Sequence, residues 1–496
     1  MLAKGHRNAT TIDNLSDNVL IEIFDRFRER DDQYNQAPFC VWKWHLLVRV
    51  SRRWRQIIFA SPRRLDLQLL CTNGTSFRKI IDIWHTIPIV VYWQIGSPGV
   101  VEDDIIPALE HPDRVSHIYL FLYKPKLEAI AAFIQKPFPM LTHLSVFSPY
   151  GSLISVLPDG FLGGSAPSLQ QLALCAVRYP ALPVLLLSAS NLVNLELLDM
   201  PPTGYISTEV MVSLLAASHK LETLHIEFGL LGARPSSPDI IVSPPVTRAI
   251  LPALCDLSLI AGRKYIEDFL SRIDTPRLNS LLVNYKRGVR RWEIDINYDV
   301  PQLSKFINRS ESLKRSLSKH CEIKETALQC RAIITFCVGR TTSERWNPNP
   351  GISVCLGRGI EEPILRLANI LGFITPILSD IVHCTIDSVH MVESGSGRDD
   401  LDWLQLLRQL SYVQTLFVSD DMAGLISRAL AHVDVGTITQ TLPALQLLCI
   451  EIKEDGEEHR NTSSVHKFLT VRQDAGHPVT FVETKDEFEE RLKSYQ

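Results

Sequence analysis

Apolar residues in the first sixty positions recur at helical spacing. Val19, Leu20, Ile23, Phe24 and Phe27 fall at i, i+1, i+4, i+5 and i+8, which lines one side of a helix. Ser16 or Asp17 is placed to cap its start. Glu22, Asp25, Arg26 and Arg28 occupy the other side. The spacing predicts a helix over 13–27, followed by the polar, aperiodic loop RERDDQYNQAP. Leu47, Val50, Trp54 and Ile57 then fall at i, i+3, i+7 and i+10, with Leu46 and Ile58 beside them. They predict a second helix, stopped at Ser61-Pro62 because a residue before proline is pushed out of the helical region. Arg49, Arg52, Arg53 and Arg55 flank that stripe, where long stems cover apolar surface and charged heads stay wet. A unit of about 50 residues buries little surface alone. Its apolar faces therefore seek cover, from a partner protein or from the rest of the chain.

Downstream the pattern becomes a composite one, Pro-x-Leu-x-x-Leu-x-aliphatic. It appears as PMLTHLSV (139–146), PSLQQLAL (167–174), PALCDLSL (252–259), PRLNSLLV (276–283) and PALQLLCI (443–450). RVSHIYL, NLVNLEL, KLETLHI and YVQTLFV are looser copies without the proline. The leading apolar residues stand at 115, 141, 169, 192, 221, 254 and 278. Most steps lie in or near the roughly 20–29-residue period of leucine-rich repeats. Each copy predicts a short half-buried strand. The return segments STEVMVSLLAASHK and RKYIEDFLSRID predict helices. Stacked strand–helix units share one core and present an extended binding surface. The asparagine usual after such leucines is absent; Pro149, Val177 and Gly262 stand in those places. Residues 229–252 read as an inserted loop. From about 300 to 410 the pattern blurs, with strands expected in RAIITFCVG and IVHCTIDSVH and loops in WNPNPG and ESGSGRDD. The C-terminus reads as a helix (SSVHKFLTVRQ), a strand (PVTFVE) and a polar amphipathic helix (KDEFEERLKSY), which suits a cap.

The N-terminal residues also carry a resemblance. NLSDNVLIEIF followed by LVRVSRRWRQII resembles an F-box, whose motif runs Leu-Pro-x-Glu-Leu-Leu-x-x-Ile-Phe and then Val-Cys-Lys/Arg-x-Trp-x-x-Ile/Leu. Leu15, Val19, Leu20, Ile23, Phe24, Val50, Arg52, Trp54 and Ile57 match. Ser16 replaces the motif's proline, Asn18 its glutamate and Ser51 its cysteine, and the loop between the halves is longer. WKWHLLVRVSRRWRQIIFASPRRLDLQLL is similar to F-box-like proteins of mushroom-forming fungi. The resemblance implies docking to the Skp-type linker of a Skp–cullin–F-box ubiquitin ligase, with the repeats holding an unknown protein substrate. It implies partner-binding positions at Leu15, Ser16, Val19, Leu20, Ile23, Phe24, Leu47, Val50, Trp54 and Ile57. It also implies a non-catalytic adaptor rather than an enzyme.

The fold class expected is α/β: a short N-terminal helical F-box-like module followed by an irregular leucine-rich-repeat-like solenoid of strand–helix units. The expected divisions are a disordered 1–11, the helical module 12–62, a connecting segment and solenoid start 63–110, repeats 111–300, an irregular continuation 301–453 and a cap 454–496. The alternative is an interaction scaffold outside any ligase, its N-terminal helices capping the solenoid.

Composition narrows the chemistry. The 496 residues are 45% hydrophobic and 21% charged, a globular balance. With a net charge of −4, a nucleic-acid role for Arg52, Arg53, Arg55, Arg63 and Arg64 is disfavoured. No stretch reads as a signal peptide or a bilayer span, so an intracellular location, cytoplasmic or nuclear, and no membrane partner are expected. Ten cysteines are scattered without a C-x-x-C pair and read as buried free thiols. No phosphate loop, H-E-x-x-H or dinucleotide fingerprint occurs. Gly395-Ser396-Gly397 reads as a linker, and His383 and His390 as core or surface residues. The Asp pairs at 31–32, 103–104, 399–400 and 420–421 read as solvated turns. Neither a cofactor nor a metal is expected.

Overall fold

The computed structural model describes residues 12–31, 44–61, 65, 67–71, 81, 84, 86–95, 102–149, 154–229, 248–285, 300–317, 320–327, 332–339, 351–356, 363–374, 379–388, 398–433, 436–451 and 459–492. The expected disordered residues 1–11, most of the 229–252 insertion, nearly all of WNPNPG, the 395–397 triplet, His390, Arg63 and Arg64 lie outside them. The chain divides into two compact units, residues 1–152 with 158–169 and residues 153–157 with 170–496.

In the first unit, helices α1 (Asp17–Asp31), α2 (Trp44–Leu47) and α3 (Arg52–Ala60) precede strands β1 (Leu69–Cys71) and β2 (Ile89–Gln94). Helix α4 (Glu102–Leu109), β3 (Val115–Phe121), α5 (Lys124–Ala131) and β4 (His143–Phe147) follow. The four strands pair in sequence order, all parallel. Parallel neighbours need a crossover, and α4 supplies it between β2 and β3 and α5 between β3 and β4.

The second unit opens with β5 (Ser155–Val156), β6 (Gln171–Cys175), β7 (Val177–Arg178), α6 (Leu182–Ser188), β8 (Asn194–Met200), α7 (Thr208–Leu215) and β9 (Thr223–Phe228). Next come β10 (Ala249–Ile250), β11 (Asp256–Ala261), α8 (Arg263–Arg272), β12 (Ile273–Asp274), β13 (Ser280–Tyr285), α9 (Pro301–Arg309) and α10 (Glu311–Ser316). Then follow β14 (His320–Ala327), β15 (Ala332–Gly339), β16 (Gly351–Leu356), α11 (Pro363–Ile374), β17 (His383–Ser388), α12 (Arg398–Gln409), β18 (Thr415–Val418) and α13 (Asp420–Ala431). The unit ends with β19 (Leu447–Ile450), α14 (His459–Asp474), β20 (Thr480–Val482) and α15 (Lys485–Leu492). Its sheet runs β6-β8-β9-β11-β13-β16-β15-β14-β17-β18-β19-β20, and β5 with β7 and β10 with β12 form small separate pairs. Parallel strands alternating with helices make this a leucine-rich-repeat-like array, as the sequence pattern predicts.

Register shows why the pattern works. Leu172 pairs with Leu195, Leu195 with Leu224, Leu224 with Leu257 and Leu257 with Leu281. Two residues along, Leu174, Leu197, Ile226, Leu259 and Val283 form a second rung. All are at most 1% exposed. At about 1.5–3 kcal/mol per buried aliphatic side chain, these rungs hold neighbouring repeats together. In this unit the leading residues Leu192, Leu221, Leu254 and Leu278 are also buried, as are Leu141 and Leu169 within the first unit.

The recurrent proline has a geometric cause. The amide of each leading residue donates to the carbonyl three residues earlier: Leu141 to Phe138, Leu169 to Ala166, Leu254 to Leu251, Leu278 to Thr275 and Leu445 to Leu442. Pro139, Pro167, Pro252, Pro276 and Pro443 thus occupy the second position of a β-turn. Fixed φ favours proline there, and no amide hydrogen is needed. Leu192, Leu221 and Val413 make the same bond without proline, to Ala189, Ser218 and Leu410.

The blurred region contains a reversal. Strand β15 is antiparallel to both β14 and β16, while β14 runs parallel to β17. RAIITFCVG and IVHCTIDSVH form β15 and β17; β14 and β16 lie outside the expected strands. The described members of the Asp pairs are not in turns, and Asp32 lies outside the described residues. Asp31 closes α1, Asp103-Asp104 lie in α4, and Asp399-Asp400 and Asp420-Asp421 open α12 and α13. At the start of α13, Asp420 and Asp421 lie near the positive end of the macrodipole. Asp400 is buried and pairs with Arg428 (Nε–Oδ1 3.2 Å).

Candidate partner-docking site

The site expected from sequence is the N-terminal module, which lies within the first unit. A 3-10 turn, Ile12–Asn14, leads into α1. Ser16 caps that helix: its Oγ accepts from the Val19 amide at 3.4 Å, and its carbonyl accepts from Leu20 at 3.0 Å. A hydroxyl here satisfies an otherwise orphan amide, so a cap serves where proline would only preset φ. The helix runs to Asp31 rather than stopping near 27. RERD therefore extends the helix and does not begin a loop; arginine and glutamate are good helix formers.

The apolar stripe is split along its length. Leu20 (0% exposed), Ile21 (6%) and Phe24 (1%) point inward, whereas Val19 (44%) and Ile23 (40%) face outward. Successive residues turn by about 100°, so Leu20 and Phe24 share one line with Ile21 on its inner flank and Val19 and Ile23 on its outer flank.

The second helix is two helices. A turn at 48–50 separates α2 from α3, with the Arg49 and Val50 amides donating to Leu46 and Leu47. Ser51 is extended (φ −151°, ψ 164°), and its Oγ accepts from the Trp54 amide at 3.1 Å. A side-chain acceptor placed to restart a helix defeats the continuous periodicity read from Leu47 to Ile57. Leu47, Trp54, Ile57 and Ile58 are buried; Val50 and Leu46 are exposed. The indole of Trp54 meets the ring of Phe24 at 4.9 Å between centroids.

Two of the flanking arginines are structural. Arg53 pairs with Asp17 (Nη2–Oδ1 2.7 Å) and donates to the Leu15 carbonyl at 2.5 Å. Arg55 donates to the Val48 carbonyl at 3.1 Å. Beyond the module, Phe59 stacks on Trp84 at 4.1 Å. Arg114 then donates to the carbonyls of Trp84 (2.5 Å), Ile87 (2.9 Å) and Ile81 (3.3 Å). Helix α3 is thereby tied to the start of the first sheet.

Of the ten positions expected to bind a partner, Leu20, Phe24, Leu47, Trp54 and Ile57 form an internal core. Leu15 is half-buried, and Ser16, Val19, Ile23 and Val50 are exposed. Ile58, read beside the second stripe, is buried with them, and Ile21 joins the core without having been expected; its apolar character was visible, its phase on the helix was not.

The sheet faces opposite the core are the other candidate surface. In the first unit Tyr92 stacks on Tyr119 (5.0 Å) and His117 on His143 (4.1 Å). Burial, aided by the nearby His143, lowers the His117 pKa from its ordinary 6.5 to about 3. In the second unit this face carries Glu196, Glu227 and Asp256. Burial raises Glu196, and burial with the neighbouring Glu222 raises Asp256. Among the described residues, no group of three or more His, Cys, Asp or Glu could hold a metal ion, and no helix is long and apolar enough to cross a membrane.

No protein-family model and no curated protein matches the chain. Among solved structures, the leucine-rich repeat-containing protein LegL7 from Legionella pneumophila aligns over 81% of this chain and 97% of its own, at 12% identity and a TM-score of 0.25. The repeat assignment rests on the strand order and register described above.

Proposed function

We propose that this protein is a non-catalytic adaptor in which the N-terminal module docks the Skp-type linker of a cullin-based ubiquitin ligase and the repeat array holds a protein substrate. The observation that carries this reading is the division of apolar residues in the module. Leu20, Phe24, Trp54 and Ile57 close its own core, yet Val19, Ile23, Leu46 and Val50 remain on its surface. Exposed aliphatics on α1, on α2 and on the turn that follows α2 leave apolar surface for a docking partner to cover. The F-box resemblance supplies the identity of the partner. The mechanism is proximity: a substrate held beside a transfer enzyme reacts at raised effective concentration, without chemistry in the adaptor.

A second reading draws on the Phe59–Trp84 stack, which joins α3 to the first strands. In it the helices cap the array within an interaction scaffold that has no ligase role. Co-purification of the full chain with the Skp-type linker separates the two. The adaptor reading expects a complex that Ile23→Asp/Val50→Asp abolishes while the fold is retained. No complex with the wild-type chain would favour the scaffold.

A further inference from the structure

Strands β14 and β17 are parallel neighbours, and their register sets Cys321 opposite Cys384. Both residues are buried, at 0% and 2% exposure. Adjacent strands lie about 4.8 Å apart, and a disulfide accepts Cα separations of about 4.4–6.8 Å. The two thiols are hydrogen-bonded to each other, which with burial pushes the Cys321 thiol well above its ordinary range.

We propose that Cys321 and Cys384 are a modification site, a reversible disulfide that staples β14 to β17 under peroxide. The location gives the bond a consequence. Among the described residues, sheet pairing from the β6–β16 strands to the β17–β20 strands passes through the reversed β15–β14 hairpin. A covalent link at β14–β17 therefore locks that seam.

The chemistry balances. One thiol loses its proton and attacks hydrogen peroxide, giving a sulfenic acid and one water. The second thiol attacks that sulfur, the S–O bond breaks, and a second water leaves. Two thiols are oxidised by two electrons and one peroxide is reduced. A buried, protonated thiol is a poor nucleophile, so the reaction proceeds through local opening of the seam. Each sulfur already faces its partner when the seam recloses.

The test is a non-reducing peptide map of the wild-type full chain after peroxide treatment without denaturant. The expected result is a Cys321–Cys384 cross-linked peptide that exceeds any other cysteine pair several-fold and disappears on reduction. The same map on Cys321→Ser should lack the link. The proposal fails if Cys321 and Cys384 remain alkylatable after the half-exposed Cys255 and Cys355 are oxidised. It also fails if the link forms only in denaturant.

Discussion

Phe24 on α1 and Trp54 on α3 meet with their ring planes tilted by 58° and their centroids 4.9 Å apart. This contact joins the two halves of the module across thirty positions of sequence. Tilted rings at that distance add about 0.5–1.5 kcal/mol beyond burial. The Arg53–Asp17 pair spans the same two helices, but both groups are well exposed, and such a pair is worth at most about 1 kcal/mol.

Truncating that contact should therefore cost far more than trimming the outer face. Phe24→Ala or Trp54→Ala is expected to destabilise the module by about 3–5 kcal/mol. Val50→Ala should change stability by no more than about 0.5 kcal/mol. Hydrogen exchange over residues 17–31 and 52–60 reads both.

The turn before each strand gives a stabilising substitution. His219 is exposed and occupies the position that proline holds in five other copies, within a turn closed by Leu221 N–H to the Ser218 carbonyl. His219→Pro should raise stability by about 0.4–1 kcal/mol by restricting the unfolded chain. Pro276→Ala should lower it by a similar amount. Denaturant midpoints at constant m-value check the pair.

Arg472 is 1% exposed and donates to the carbonyls of Thr441, Leu442, Pro443, Leu445 and His477. It holds the turn before β19, in which Leu442 sits at φ +51°. Arg472→Ala leaves several buried carbonyls unpaired and should cost at least about 2–3 kcal/mol. Thermal unfolding would show the drop, with loss of protection concentrated at residues 441–450.

The folded-state pKa of His117 lies below that of the unfolded chain. Between the two values the unfolded state binds more protons, so stability rises with pH. The contribution is whole above about pH 6.5 and is lost as pH falls toward about 3. Urea midpoints for His117→Phe should fall less between about pH 7 and about pH 4 than those of the wild type.

Much of the array was legible because its signal is local. Leu192, Leu221, Leu254 and Leu278 in the second unit are buried as the period implies, as are Leu141 and Leu169 in the first, and Pro276 marks one of the turns before a strand. Strands β14 and β16 escaped because their partners are set by a reversal of strand order, which no short window encodes. Asp400 read as a solvated loop residue because Arg428 lies a helix away. In the module, composition identified the apolar residues, but a 100° turn per residue separates Ile21 from Val19, and only packing decides which faces inward. The Ser51 cap likewise broke a helix whose periodicity ran straight through it.

The most direct test of the adaptor reading is hydrogen exchange of the full chain with and without the Skp-type linker. Docking through the module should slow exchange in residues 17–31 and 46–60 alone and leave the repeats unchanged. An unchanged module at saturating linker, or protection confined to the repeats, would contradict it.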